Sequence, residues 1–206
     1  MAATSTPLGE LTLLDWKRQI FDLYASIRAD ADPARAWLRW RETRDRLFRD
    51  HPQSPLPPDT RARFAAVPYF DYDPSLRTLA TVEPAERERR EIATSGEEPY
   101  AFTRFARASF ELGGEPQALD LFWLLGYGGG VFLSFADETS GRETYGACRY
   151  LLDTVKGADL GEEDGTLVLD FNFAFNPSCA YDPTWVCPLA PPGNRLSIAV
   201  RGGERL

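Results

Sequence analysis

The order of its periodic signals constrains this chain most: two stretches of helical spacing come first, and almost every regular pattern after residue 100 reads as β. Segments 100–112, 118–125, 131–135, 144–152, 166–176 and 195–200 are rich in β-branched and aromatic residues. Gly113-Gly114, Gly128-Gly129-Gly130, Ser140-Gly141 and Gly193-Asn194 punctuate them, supplying the backbone freedom that hairpin turns need. Helices followed by strands, rather than alternating with them, predict an α+β fold. The expected architecture is two N-terminal helices packed on a largely antiparallel β-sheet or partly closed β-barrel. Residues 1–60 form the helical segment and 61–206 the β-rich main domain, folding as one cooperative unit.

The first helix is predicted over 15–28, where Trp16, Ile20, Leu23, Tyr24 and Ile27 share one stripe. The second starts with Asp32 as N-cap and Pro33 at the first helical position, then runs through Trp37, Trp40, Leu47 and Phe48 to about Asp50. The prolines of 51–58 stop it, because proline lacks an amide proton and restricts the residue before it. Residues 51–76 read as a connector of extended chain and turns. The run 83–98 is the most charged part of the chain and reads as a solvated face or a mobile loop.

A net charge of -8 disfavours phosphate-backbone binding, which needs clustered cations; no nucleic-acid partner is expected. Only Lys17 and Lys156 are lysines, so arginine carries nearly all the positive charge. The N-terminal residues lack a basic region followed by an apolar run, and no stretch approaches membrane-spanning length. The expectation is therefore a cytoplasmic protein without a membrane partner, in which Cys148, Cys179 and Cys187 stay reduced. Cys179 and Cys187 are close enough in sequence to bridge in an oxidising compartment, and whether they do is left open.

Read as one strand, 166–176 puts Leu167, Leu169, Phe171, Phe173 and Phe175 on one face and Val168, Asp170, Asn172, Ala174 and Asn176 on the other. The second face is a ladder of carboxylate and amides, which either satisfies buried backbone groups or lines a ligand pocket. Arg149 falls mid-strand with Tyr145 on the same face. It either pairs with a carboxylate such as Asp170 or anchors an anionic ligand through its planar fork. Tyr181 and Trp185 belong to a long aromatic loop able to wall off a cavity.

The GYGGG run at 126–130 precedes a strand rather than a helix and lacks a phosphate-loop ending, so it reads as a turn. Asp137, Thr139 and Glu143 suggest an oxygen-ligand site, but without calcium-loop spacing they read as a hairpin with Gly141 left-handed. The cysteine spacing does not suit structural zinc, and no metal is expected. The thiols read as structural, a reactive thiolate needing an activating neighbour. His51 is the only histidine; it either caps the second helix or supplies acid–base chemistry.

Six motifs carry a family resemblance: HPQSPL at 51–56, YFDY at 69–72, FADETSG at 135–141, TYGACRY at 144–150, DFNFAFNPSCAY at 170–181 and CPLAPPGNRL at 187–196. Together, from about Trp16 to Gly203, they resemble the prokaryotic family catalogued as domain of unknown function 1684. The resemblance implies a shared fold and no established activity. It implies that His51, Ser54, Asp137, Thr139, Tyr145, Arg149, Asp170, Asn172, Asn176, Cys179, Tyr181, Cys187 and Asn194 belong to the family pattern, with glycine usual where this chain has Cys148.

The functional expectation is a small-molecule binding protein or enzyme with a polar pocket on the sheet. Its ligand is anionic, anchored by Arg149 and oriented by Tyr145, Asn172, Asn176 and Tyr181. If the molecule is turned over, Asp170 is the acid–base group, provided burial raises its pKa, with His51 the other candidate. No cofactor is indicated. The rival is a non-enzymatic interaction or scaffold protein whose polar row is internal and whose helices contact a partner. A thiol-dependent enzyme using Cys179 or Cys187 is a third reading.

Overall fold

A computed structural model describes residues 8–206; the reading of residues 1–7 as lacking a secretory signal lies outside that range. Helix α1, Gly9–Arg28, begins earlier than its apolar stripe, because Leu11, Leu13 and Leu14 are exposed and only Ile20, Leu23, Tyr24 and Ile27 bury against the body. Helix α2, Pro33–Asp50, begins and ends where the sequence places it. The Asp32 carboxylate accepts from the amides of Ala34 and Arg35 at 3.0 and 3.1 Å, meeting two of the donors a helix start leaves open. Asp30 fixes the corner between the helices, accepting from the Asp32 amide and from Arg39 at 2.8 Å. A single turn, α3 (Pro58–Arg61), interrupts the connector.

Seven strands follow: β1 (Arg77–Ile92), β2 (Tyr100–Leu112), β3 (Glu115–Leu124), β4 (Val131–Phe135), β5 (Arg149–Asp153), β6 (Glu162–Glu163) and β7 (Thr166–Asp170). They form one antiparallel sheet in the order β5-β4-β3-β2-β1-β7-β6, curled into a half-barrel behind two N-terminal helices. The fold is α+β. Trp40 from α2 meets Phe173 edge-on at 5.5 Å, and the core it enters includes Leu121, Phe135, Leu169 and Phe171.

Four local expectations are corrected. The charged run is a solvated face rather than a loop as far as Ile92, where β1 ends: β2 supplies the ladder and sets Glu83 opposite Arg107 and Glu88 opposite Arg104. Only Arg77–Ala80 of β1 pairs with β7, so beyond Ala80 one edge faces water, where charges and the bulge around Pro84 discourage strand addition. The strand expected at 166–176 ends at Asp170, whose Oδ1 accepts the Asn172 amide at 3.0 Å and turns Phe171–Phe173 into a 3-10 helix. The alternating polar ladder therefore does not exist. The strand expected at 144–152 begins only at Arg149, and 195–200 is no strand: a single parallel bridge at Ala136–Arg195, the Leu196 amide on the Ala136 carbonyl and the Glu138 amide on the Ile198 carbonyl hold it, with Arg149 bonding the Val200 carbonyl.

Candidate functional site

Arg149 sits at the head of β5 and is 1% exposed. Its Nη2 donates to Asp137 Oδ2 at 2.7 Å and to the Val200 carbonyl at 2.8 Å, while Nη1 donates to the Gly202 carbonyl. Its partner is Asp137, not Asp170. Burial disfavours its charge and Asp137 opposes that effect. Asp137 Oδ1 meanwhile accepts the Thr139 amide and hydroxyl, each at 2.6 Å, and Thr139 bonds to Thr144. Gly141 is left-handed at φ 79°, so this segment is the turn its glycine suggests. Arg149 acts here as a clamp on the C-terminal chain: protein oxygens take both Nη groups, while Nε is buried without a hydrogen-bond partner.

Asn172, by contrast, is fully engaged. Its Nδ2 donates to the Asp73 carbonyl at 2.7 Å and to Asp170 Oδ1 at 2.8 Å, and its Oδ1 accepts the Asp73 amide at 2.9 Å. It staples the 3-10 turn to the connector. The consequence falls on Asp170: Oδ1 takes both Asn172 donors, while Oδ2 is buried without a hydrogen-bond partner. Burial pushes the Asp170 carboxyl up to about 6, and the Asn172 donors, Arg77 and the neighbouring Tyr72 hydroxyl oppose it.

Asp170 lies in the wall of a cleft of about 300 Å³ between the α1–α2 corner and β7. Ile27, Val168 and Phe173 give it apolar surface, and Arg28, Asp30, Arg77 and Glu163 give it charge. Arg77 pairs with Glu163, which is half exposed, and Arg28 donates to the Asp159 carbonyl. Asp30 is held by Arg35 and Arg39, so its carboxyl lies far below the usual range. The cleft thus offers two rim arginines, each paired with a part-exposed carboxylate, Arg28 with Asp159 at 3.5 Å and Arg77 with Glu163, and one carboxyl that can be neutral or charged near neutral pH.

A second, smaller cavity of about 80 Å³ lies between the helices and the 175–181 segment. Trp16, Phe48 and Phe175 wall it, with Asn176 and Tyr181 among its lining. Glu204, behind the lining, ties its polar residues together: Oε1 accepts Arg44 Nε at 2.8 Å, and Oε2 accepts the Asn176 amide and the Tyr181 hydroxyl at 2.6 Å each. Asn176 Oδ1 alone has no partner. Arg44 was legible as an arginine on the apolar stripe of α2, three residues before Leu47; Glu204 carried no signal.

Tyr145 stands apart from both cavities, its hydroxyl 3.7 Å from Cys179 Sγ. His51 Nδ1 accepts the Gln53 amide at 3.0 Å, which puts the ring proton on Nε2, 3.1 Å from Asp15 Oδ2. Neither cavity includes it. Of the residues named from sequence, Asp170 reaches the larger cleft and Asn176 and Tyr181 the smaller; Arg149, Tyr145, Asn172 and His51 reach neither. Arg77 and Arg28, which sequence reasoning passed over, complete the larger cleft. Among the described residues no group of three or more His, Cys, Asp or Glu side chains is placed to hold a metal ion. No helix there is long and apolar enough to cross a membrane.

The family described as "Protein of unknown function (DUF1684)" matches residues 62–205. The chain belongs to this family. The match takes in Arg77 and Asp170, while the α1–α2 corner that completes the cleft lies before it. No curated protein matches the chain. A solution NMR structure of an uncharacterized protein from gene locus rrnAC0354 of Haloarcula marismortui is similar at 38% identity, covering 81% of this chain and 90% of that one with a TM-score of 0.59.

Proposed function

We propose that this DUF1684 protein binds a small molecule carrying an anionic group in the cleft between the α1–α2 corner and β7, with Asp170 exchanging or sharing a proton with it. The observation that carries this reading is the buried, partnerless Oδ2 of Asp170 in the cleft wall. An orphaned polar atom costs stability, and a carboxyl raised to about 6 costs more, so the position suits a ligand better than it suits the fold. Arg77 provides the positive charge. Glu163, its half-exposed partner, is displaced by the incoming anion at small cost, because exposed ion pairs contribute little. Arg149 has no part in this version of the anionic-ligand idea, and Asn172 acts only by directing Asp170 Oδ1 inward.

The test is isothermal calorimetry with a panel of succinate, phosphate and simple amino acids. An anion beside Asp170 favours its protonated form, so affinity for the binding member falls as pH rises through about 6. Arg77→Gln weakens binding and Asp170→Asn removes its pH dependence. Binding indifferent to both substitutions refutes the assignment.

One observation favours the interaction-protein reading instead: Leu8, Leu11, Leu14 and Phe21 of the α1 region are each more than two-fifths exposed. Under that reading Leu11→Glu abolishes a partner contact while leaving the panel binding unchanged.

A further inference from the structure

Cys179 and Cys187 are free and buried, and they touch one another. The Cys179 amide donates to Cys187 Sγ at 3.4 Å, and the Tyr145 hydroxyl lies 3.7 Å from Cys179 Sγ. The tip of the β1–β2 hairpin holds the pair in place: the Cys187 amide donates to Ser95 Oγ at 3.0 Å, and the Ser95 amide donates to the Cys187 carbonyl at 2.9 Å. Ser95, Trp185 and Val186, which neighbour the thiols in the loop and hairpin tip, are themselves exposed.

The two sulfurs are not equivalent. Hydrogen bonds from the Cys187 thiol and the Tyr145 hydroxyl hold Cys179 below the usual thiol range against the opposing effect of burial. Cys187 is pushed up by the same contact and keeps its proton. Cys148, 0% exposed and near the Pro188 carbonyl, is pushed up to about 12 by burial and lacks that support. The cluster thus contains one thiol set to ionise, a protonated thiol against it, and a third that serves as an internal control.

We infer that Cys179 and Cys187 form a peroxide-reactive dithiol, Cys179 attacking a hydroperoxide and Cys187 resolving the product to a disulfide. In the first step Cys179 sulfur attacks one peroxide oxygen. The S–O bond forms as the O–O bond breaks, sulfur loses two electrons to the peroxide, and the displaced alkoxide or hydroxide leaves with the thiol proton as alcohol or water. Cys187 sulfur then attacks Cys179 sulfur; the S–S bond forms, the S–O bond breaks, and hydroxide departs with the Cys187 proton as water. An external dithiol restores both thiols by exchange.

The experiment treats the native full chain with equimolar hydrogen peroxide, blocks remaining thiols with iodoacetamide and maps the peptides by mass. The expected product is a Cys179–Cys187 crosslink with the mass loss of two hydrogens, Cys148 being alkylated only after unfolding. In Cys187→Ser the reaction stops at a sulfenic acid on Cys179, trapped by dimedone. Cys179→Ser slows peroxide consumption by about tenfold or more, the scale set by thiolate fraction, and Cys148→Ser reacts as the wild type does. Alkylation of the untreated wild type needs no variant: Cys179 reacts first if the inference holds. Oxidation of Cys148 at a similar rate, accumulation of sulfinic acid without a crosslink, or inertness of all three thiols until unfolding each overturns it.

Discussion

Substituting Asp170→Asn separates what the carboxyl does for the fold from what it does in the cleft. The wild-type group moves from 3.8 when unfolded to about 6 when folded, because burial disfavours its charge. A raised folded value means the native state holds the proton more tightly. Its contribution is fully favourable below about 3.8 and disappears as pH climbs through about 6, leaving a charged, partly unsatisfied carboxylate at neutral pH. A shift of about two units corresponds to about 3 kcal/mol at 1.36 kcal/mol per unit. Asparagine has nearly the same shape, its Oδ1 still accepts both Asn172 donors, and it never ionises. The variant's stability advantage therefore rises by up to about 3 kcal/mol between pH 4 and pH 8, most of the rise falling between the two pKa values. Below that window the two proteins agree to within about 1 kcal/mol, the size of one exchanged hydrogen bond. Urea unfolding at unit pH steps measures the difference directly. Carboxylates held low by partners, such as Asp30 and Asp73, cancel between the proteins. A pH-independent difference, or a variant less stable at pH 8, refutes the claim that ionised Asp170 is a cost the fold carries.

Two further substitutions probe the frame around the cleft. Arg149→Ala leaves Asp137 buried without its cation and should cost about 3–5 kcal/mol in urea unfolding; a loss below about 1 kcal/mol would mean the clamp on Val200 and Gly202 is dispensable. Asp32→Ala removes the acceptor for two α2 amides and should cost about 0.5–2 kcal/mol, read as a lower thermal midpoint with unchanged far-ultraviolet dichroism in the native state.

The sequence discloses those elements whose signals are local. Asp32-Pro33 fixes the start of α2, and 131–135 and 100–112 appear as strands where a glycine turn adjoins an apolar run. The family also shows, because its motifs are long and ordered. What stays hidden depends on long-range partners. Nothing in Glu83–Glu91 announces a strand, since the ladder that makes it one comes from β2. Alternation through 166–176 looks like a strand because periodicity cannot register that Asp170 captures the Asn172 amide and bends the chain. The same limit shapes the site. Asp170 is recognisable by chemistry, but its companions Arg28 and Arg77 come from a helix end and a strand start far away in sequence, and a surface arginine in α1 looks like any other. Arg149 is misleading for the opposite reason: an arginine among apolar residues suggests a ligand, while the oxygens that take its Nη groups, at Asp137, Val200 and Gly202, are invisible before folding.

The most direct measurement of the central claim is a crystal of the full chain soaked near pH 5.5 in the carboxylate or phosphate that binds best in calorimetry. The account predicts density in the cleft between α1 and β7, with an oxygen within hydrogen-bond distance of Asp170 Oδ2 and another on the Arg77 guanidinium, Glu163 having swung away. Density confined to the smaller cavity beside Asn176 and Tyr181 or to the exposed face of α1, with Arg77 still on Glu163, would contradict it.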